Sequence, residues 1–112
     1  MSARIHITVL LSVLVTLTAI PLSANAEPYT LTLKDHRFEP TRLVVPAGTR
    51  IKLIVRNLDP TAEEFESYEL NREKVIPGGS EAVIYIGPLK PGEYPFFGEF
   101  HADSAKGTIV AE

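Results

Sequence analysis

From Tyr29 onward, apolar positions recur at every second residue. Tyr29-Thr-Leu-Thr-Leu33 alternates apolar and polar side chains, Leu43-Val-Val45 runs into the turn Pro46-Ala-Gly48-Thr, and Arg50-Ile-Lys-Leu-Ile-Val-Arg56 alternates again. A period of two puts successive side chains on opposite faces, so these segments predict half-buried strands. Phe65 to Leu70, Ala82 to Ile86, Tyr94 to Phe97 and Gly107 to Val110 carry the same signal, punctuated by Pro77-Gly-Gly79 and Leu89-Lys-Pro91-Gly92. No stretch beyond the N-terminal run shows a 3.6-residue stripe. Thr61 with Glu64 three residues on also fits a capping box, so a single helical turn competes with strand there. About seven short strands at this spacing predict an all-β antiparallel Greek-key sandwich or barrel, with Phe38, Leu53, Val55, Phe65, Ile84 and Tyr94 in its core.

The N-terminus departs from this pattern. Arg4 precedes a nearly uncharged apolar run from Ile5 to Ile20, then Pro21, then Ala24-Asn25-Ala26. The run is about 16 residues, short of the roughly 20 that span a bilayer. It therefore predicts a secretory signal peptide over residues 1–26, cleaved after Ala26, and a single domain over 27–112 exported to the periplasm. A domain of that size supports one core.

Charge and cysteine content narrow the chemistry. Removing Arg4 with the leader leaves ten basic against fourteen acidic residues, a mildly acidic balance that disfavours nucleic acid as a partner and suits a cation. The chain has no cysteine. It has neither disulfides nor thiolate ligands, so any metal must be held by nitrogen and oxygen.

Two places carry such donors. In Glu63-Glu64-Phe65-Glu66, an extended backbone puts Glu64 and Glu66 on one face and Phe65 on the other, and if Phe65 enters the core Glu63 shares its side. These carboxylates read either as a solvated acidic edge that discourages aggregation or as oxygen ligands for a hard or borderline cation. His36 and His101 are the histidines beyond the leader, which holds His6. A lone histidine is more often structural than a ligand. In a small barrel of this kind, however, the segment before Phe38, the loop before Phe65 and the last hairpin reach the same end. His36, Glu63, Glu64, Glu66, Glu99 and His101 are therefore the candidate metal ligands. Ser67, Ser80 and Ser104 lack any nucleophile motif, and Gly78-Gly79 opens no helix to cradle a phosphate. The aromatic group Tyr94, Phe96, Phe97 and Phe100 reads as packing rather than as a ligand stack.

Asp35-His-Arg-Phe38-Glu-Pro40, Val45-Pro-Ala-Gly48, Val55-Arg-Asn57-Leu-Asp59, Pro91-Gly-Glu-Tyr94 and His101 together resemble the cupredoxin-like family across the mature chain. Glu64-Phe-Glu66, Arg72-Glu73 and Ile76-Pro-Gly78 resemble the EfeO-type domain of periplasmic iron-uptake systems. The family's blue-copper pattern would place the first histidine near Glu63 or Glu64, the cysteine at Gly98, the second histidine at His101 and the axial methionine near Lys106. Only His101 is kept, so a type 1 copper centre is not expected. The cysteines of some EfeO-type members are also missing, at Phe38 and Gly98. The resemblance implies carboxylate-rich handling of an iron or copper ion beside an iron permease or other membrane transport component. With no redox cofactor of its own in evidence, the sequence points to binding and delivery more than to turnover, with an accessory role in ferrous iron oxidation as the open alternative. Two rival readings are a metal-free module that docks on a transporter, and a copper oxidase or electron-transfer partner.

Overall fold

A computed structural model describes residues 2–17 and 27–112. Residues 2–17 form no helix or strand, and the apolar side chains from Ile5 to Leu17 are exposed. Among the described residues no helix is long and apolar enough to cross a membrane. The expected cleavage site at Ala24-Asn25-Ala26 lies outside them.

The remainder is β-structure in nine strands: β1 (Tyr29–Lys34), β2 (Arg37–Glu39), β3 (Arg42–Val45), β4 (Ile51–Asn57), β5 (Glu63–Ser67), β6 (Arg72–Ile76), β7 (Glu81–Ile86), β8 (Gly92–Gly98) and β9 (Lys106–Ala111). A 3₁₀ turn, Glu99–His101, follows β8. One sheet has the order β2-β1-β4-β7 and the other β3-β9-β8-β5-β6. Thr61 to Glu64 therefore enters a strand rather than a helical turn.

The Greek-key sandwich matches expectation, with two differences of detail. Among the described residues there are nine strands rather than about seven, and the pairs β1·β4 and β3·β9 run parallel. Alternation reports which face is buried and carries no information on strand direction. It also fails where a strand is too short or too exposed to alternate. β2 has three residues, and β6 is exposed at all but Ile76.

Alternation does fix the core. Leu31 and Leu33 of β1, Leu53 and Val55 of β4, Ile84 and Ile86 of β7, and Phe65, Phe96 and Ile109 of the second sheet face one another and are almost fully buried. Phe38 stands edge-on to both Phe65 and Phe96, with ring centroids 6.3 and 5.1 Å away, the geometry that aligns ring edges with ring faces. Tyr94 only borders this core. Its hydroxyl donates to the Lys90 carbonyl at 2.8 Å, which keeps the ring half-exposed. Phe97 lies on the outer face against Tyr68, and Phe100 is exposed, so only Phe96 of the aromatic group is core.

Candidate metal centre

At one end of the sandwich, three connections converge on His101. The β1–β2 hairpin supplies His36, the start of β5 supplies Glu63, and the 3₁₀ turn after β8 supplies His101 itself.

His36 sits in a two-residue turn between the paired residues Lys34 and Arg37. Asp35 and His36 both have positive φ, 51° and 57°, the twist that matches a tight hairpin but is disfavoured for side chains larger than glycine. The buried Asp59 carboxylate stabilises this conformation, accepting the N–H of Asp35 at 2.7 Å and that of His36 at 3.0 Å. The same carboxylate lies 3.4 Å from His36 Nδ1. Burial opposes its ionisation, but those two backbone N–H groups and the charges of His36 and His101 outweigh it and hold the Asp59 carboxyl below its usual 3.8. Asp59 is in turn fixed by Asn57, whose Oδ1 accepts the Asp59 N–H at 3.0 Å while its Nδ2 donates to the carbonyls of Thr61 and Ile76 at 2.8 and 3.1 Å. Asn57 and Asp59 are thus positioning residues that sequence reasoning recorded only as part of a fold signature. The side-chain role was invisible because it depends on where the β1–β2 turn lies in space.

Glu63 is 1% exposed, an unusual place for a carboxylate unless it is paired. Its Oε1 accepts the N–H groups of Glu64 at 3.0 Å and Phe100 at 2.8 Å. That leaves Oε2, which meets His101 Nδ1 at 2.5 Å, a short charge-assisted contact. The His101 ring stacks on that of His36 with centroids 3.5 Å apart and planes 12° from parallel. Ligand atoms of His36, Glu63 and His101 all lie within 4.8 Å of one another.

Gly98 explains how Glu63 comes to be there. A Cβ at Gly98 would stand 2.6 Å from the Glu63 carboxyl carbon and 2.8 Å from the Ala105 Cβ, closer than real atoms approach. The backbone at Gly98 is ordinary extended chain, φ −93° and ψ 113°. No turn and no positive φ requires a glycine here. Its function is to leave space, and the Glu63 carboxylate fills the volume that a side chain at position 98 would need.

The six candidate ligands do not form one group. Glu64, Glu66 and Glu99 lie apart from the histidines and gather with Glu73, again with ligand atoms within 4.8 Å of each other. Alternation along β5 makes the division: Glu63 and Phe65 point inward, Glu64 and Glu66 to the other face. Glu73 joins because β6 pairs it directly with Glu66. That register was not legible in the sequence, so Glu73 was missed as a candidate. Crowding raises both inner members. A proton shared with Glu73, then burial, then the charges of Glu99, Glu73 and Glu66 push the Glu64 carboxyl up to about 7. Glu66 is raised first by a hydrogen bond with Glu99, then by burial and the charges of Glu99 and Glu73.

The cupredoxin-like domain family model matches residues 7–111. The chain belongs to the cupredoxin-like family. An uncharacterized protein of Rickettsia prowazekii (strain Madrid E) is 49% identical over 80 residues, 71% of this chain and 64% of that protein, so the chain spans less than two thirds of its length. Among solved structures, amicyanin from Paracoccus versutus superposes with a TM-score of 0.62 at 13% identity, over 79% of this chain and 84% of amicyanin. Auracyanin A, a "blue" copper protein from Chloroflexus aurantiacus, gives 0.66 at 10% identity, over 79% of this chain and all of auracyanin A. Identities this low establish the shared fold. This cupredoxin-like chain does not fit a type 1 copper ion, which needs a thiolate, because it has no cysteine and Glu63 occupies the space beside Gly98. Lys106, aligned by resemblance with the axial methionine, is an exposed residue of β9. Two imidazoles and a carboxylate instead form a donor set suited to borderline divalent ions.

Proposed function

We propose that this protein binds a divalent transition ion, iron or copper, through His36, Glu63 and His101, and passes it to a membrane transport component on the outer side of the cytoplasmic membrane. The observation that carries this reading is the replacement of a side chain at position 98 by the buried Glu63 carboxylate, held against His101. Three donors from one carboxylate and two half-exposed histidines leave coordination positions open, which favours exchange over permanent storage. A bound ion here would supply a transferable cargo. The protein contributes a fixed carboxylate, oriented imidazoles and an acidic surrounding. Export through the N-terminal apolar segment, the EfeO-type resemblance of Glu64-Phe-Glu66, and delivery to an iron permease all belong to this proposal.

Calorimetric titration of the metal-free protein with Fe²⁺ under anaerobic conditions, and separately with Cu²⁺, tests it. One equivalent of each should bind, His101→Ala should weaken the affinity at least tenfold, and the copper complex should show no intense blue band. Binding that His101→Ala leaves unchanged would place the ion elsewhere on the protein, and a wild-type protein that takes up neither ion would favour instead a metal-free docking module.

A further inference from the structure

The chain carries a net charge of −3, yet two cations face each other across its β1–β2 hairpin. Lys34 and Arg37 are directly opposed in the register, both exposed, where like charges destabilise a strand pair. Among the described residues neither forms an ion pair, and neither does Lys106 at the start of β9. The Asp59 carboxylate nearby is committed to the turn itself, holding the N–H groups of Asp35 and His36.

Arg37 and Lys106 line one groove, an open hollow of about 760 Å³ that falls within the roughly 300–1,000 Å³ of small-molecule clefts. Its floor is Phe96 and Gly107. A Cβ at Gly107 would stand 2.3 Å from Phe96 Cζ, so a buried core ring packs directly against the glycine backbone and the floor is fixed by the core. Thr41 and Thr108 add hydroxyl donors to the walls. Asp103 adds one carboxylate, which pairs with neither cation. Ala102, Asp103 and Ser104 of the wall follow His101 in the chain, and Arg37 follows His36. The groove therefore opens beside the histidines without using them.

We infer that this groove binds a small polycarboxylate anion, and that the metal ion reaches the His36–Glu63–His101 centre as that anion's complex. The second half rests on the proposed metal centre; the first does not. A guanidinium grips a carboxylate through two parallel N–H donors, and an ammonium adds a point charge. The two cations come from separate strands across an open groove, which suits an extended anion with several carboxylates better than a compact oxyanion, held typically in a closed nest of N–H groups. Carboxylates are also oxygen donors that keep such ions in solution. Holding the complex next to open coordination positions lets imidazole replace carboxylate without a free ion being released.

Citrate is the probe, titrated by calorimetry into the metal-free protein at low ionic strength, with inorganic phosphate in parallel. One equivalent of citrate should bind, at least tenfold more tightly than phosphate. The double variant Arg37→Gln/Lys106→Gln, at two exposed positions, should weaken citrate at least tenfold. His101→Ala should not, and neither should Lys74→Gln/Lys90→Gln, which removes the same charge elsewhere. Uptake of Cu²⁺ from copper citrate, followed by stopped-flow quenching of tyrosine fluorescence, should slow at least tenfold in Arg37→Gln/Lys106→Gln, while affinity for Cu²⁺ added as its chloride stays unchanged. Absence of citrate binding, phosphate binding of equal strength, or citrate binding that Lys74→Gln/Lys90→Gln weakens as much would overturn the groove. Citrate binding with an unchanged uptake rate would overturn the delivery of the ion as its complex. A wild-type protein that binds citrate but no Cu²⁺ would sink the metal centre and leave the groove standing, so the two readings fail separately.

Discussion

At the residue scale, the site depends on a missing atom as much as on those present. Glu63 can be buried because Oε1 takes two backbone N–H groups and Oε2 takes His101, and because Gly98 has no Cβ to exclude it. Gly98→Ala forces a methyl against both the Glu63 carboxyl and Ala105. Overpacking of this kind costs about 1–3 kcal/mol. Chemical denaturation should register that loss, and Cu²⁺ affinity should fall with it because the carboxylate is displaced. A Gly98→Ala protein with wild-type stability would mean that Glu63 does not occupy this space.

At the scale of elements, β5 sorts the chemistry. Its alternation puts Glu63 and Phe65 on the core face and Glu64 and Glu66 on the opposite face of the sheet, so one short strand feeds two differently composed clusters. Phe65 is fully buried among Phe38 and Phe96, and its truncation to alanine should cost roughly 3–5 kcal/mol in an equilibrium unfolding experiment. A near-neutral result would place Phe65 at the surface and reverse the faces of its glutamate neighbours. This division was partly legible in the sequence, since the period of two along Glu63-Glu64-Phe65-Glu66 already separates the faces once Phe65 is taken as core. What it could not supply was the partner strand. Glu73 enters its cluster through the register of β6, a segment exposed at four of its five positions and so without alternation to read. Asp59 reaches the His36 turn across 23 residues of chain, a contact made by tertiary placement alone. Likewise, the convergence of His36 and His101 on one end followed from the topology expected of the fold, whereas their stacking did not.

At the scale of the whole molecule, the sandwich carries its acidic groups at a cost that depends on pH. Glu64 has an ordinary value of 4.5 and is pushed up to about 7 in the folded protein, so the folded state holds a proton that the unfolded chain has released. Stability therefore falls as pH rises from about 4.5 towards about 7, and the penalty is complete above that window. The raised Glu66 acts in the same direction. Asp59, lowered from 3.8, stabilises the fold above that value, and its contribution is lost only as pH falls through its lowered folded value, outside this window. In the presence of a chelator, the urea midpoint should be higher at pH 5 than at pH 8, and Glu64→Gln should flatten the difference. Equal midpoints in the wild type would contradict the crowding of these carboxylates.

The central claim is that a cupredoxin-like sandwich without cysteine holds a transition ion between His36, Glu63 and His101. Pulsed electron paramagnetic resonance of the protein loaded with one equivalent of Cu²⁺ tests this most directly, because the remote nitrogen of each coordinated imidazole couples to the copper electron. The account predicts couplings from two imidazoles in the wild type and from one in His36→Ala. A spectrum without imidazole nitrogen would place the copper on carboxylates alone and contradict the account.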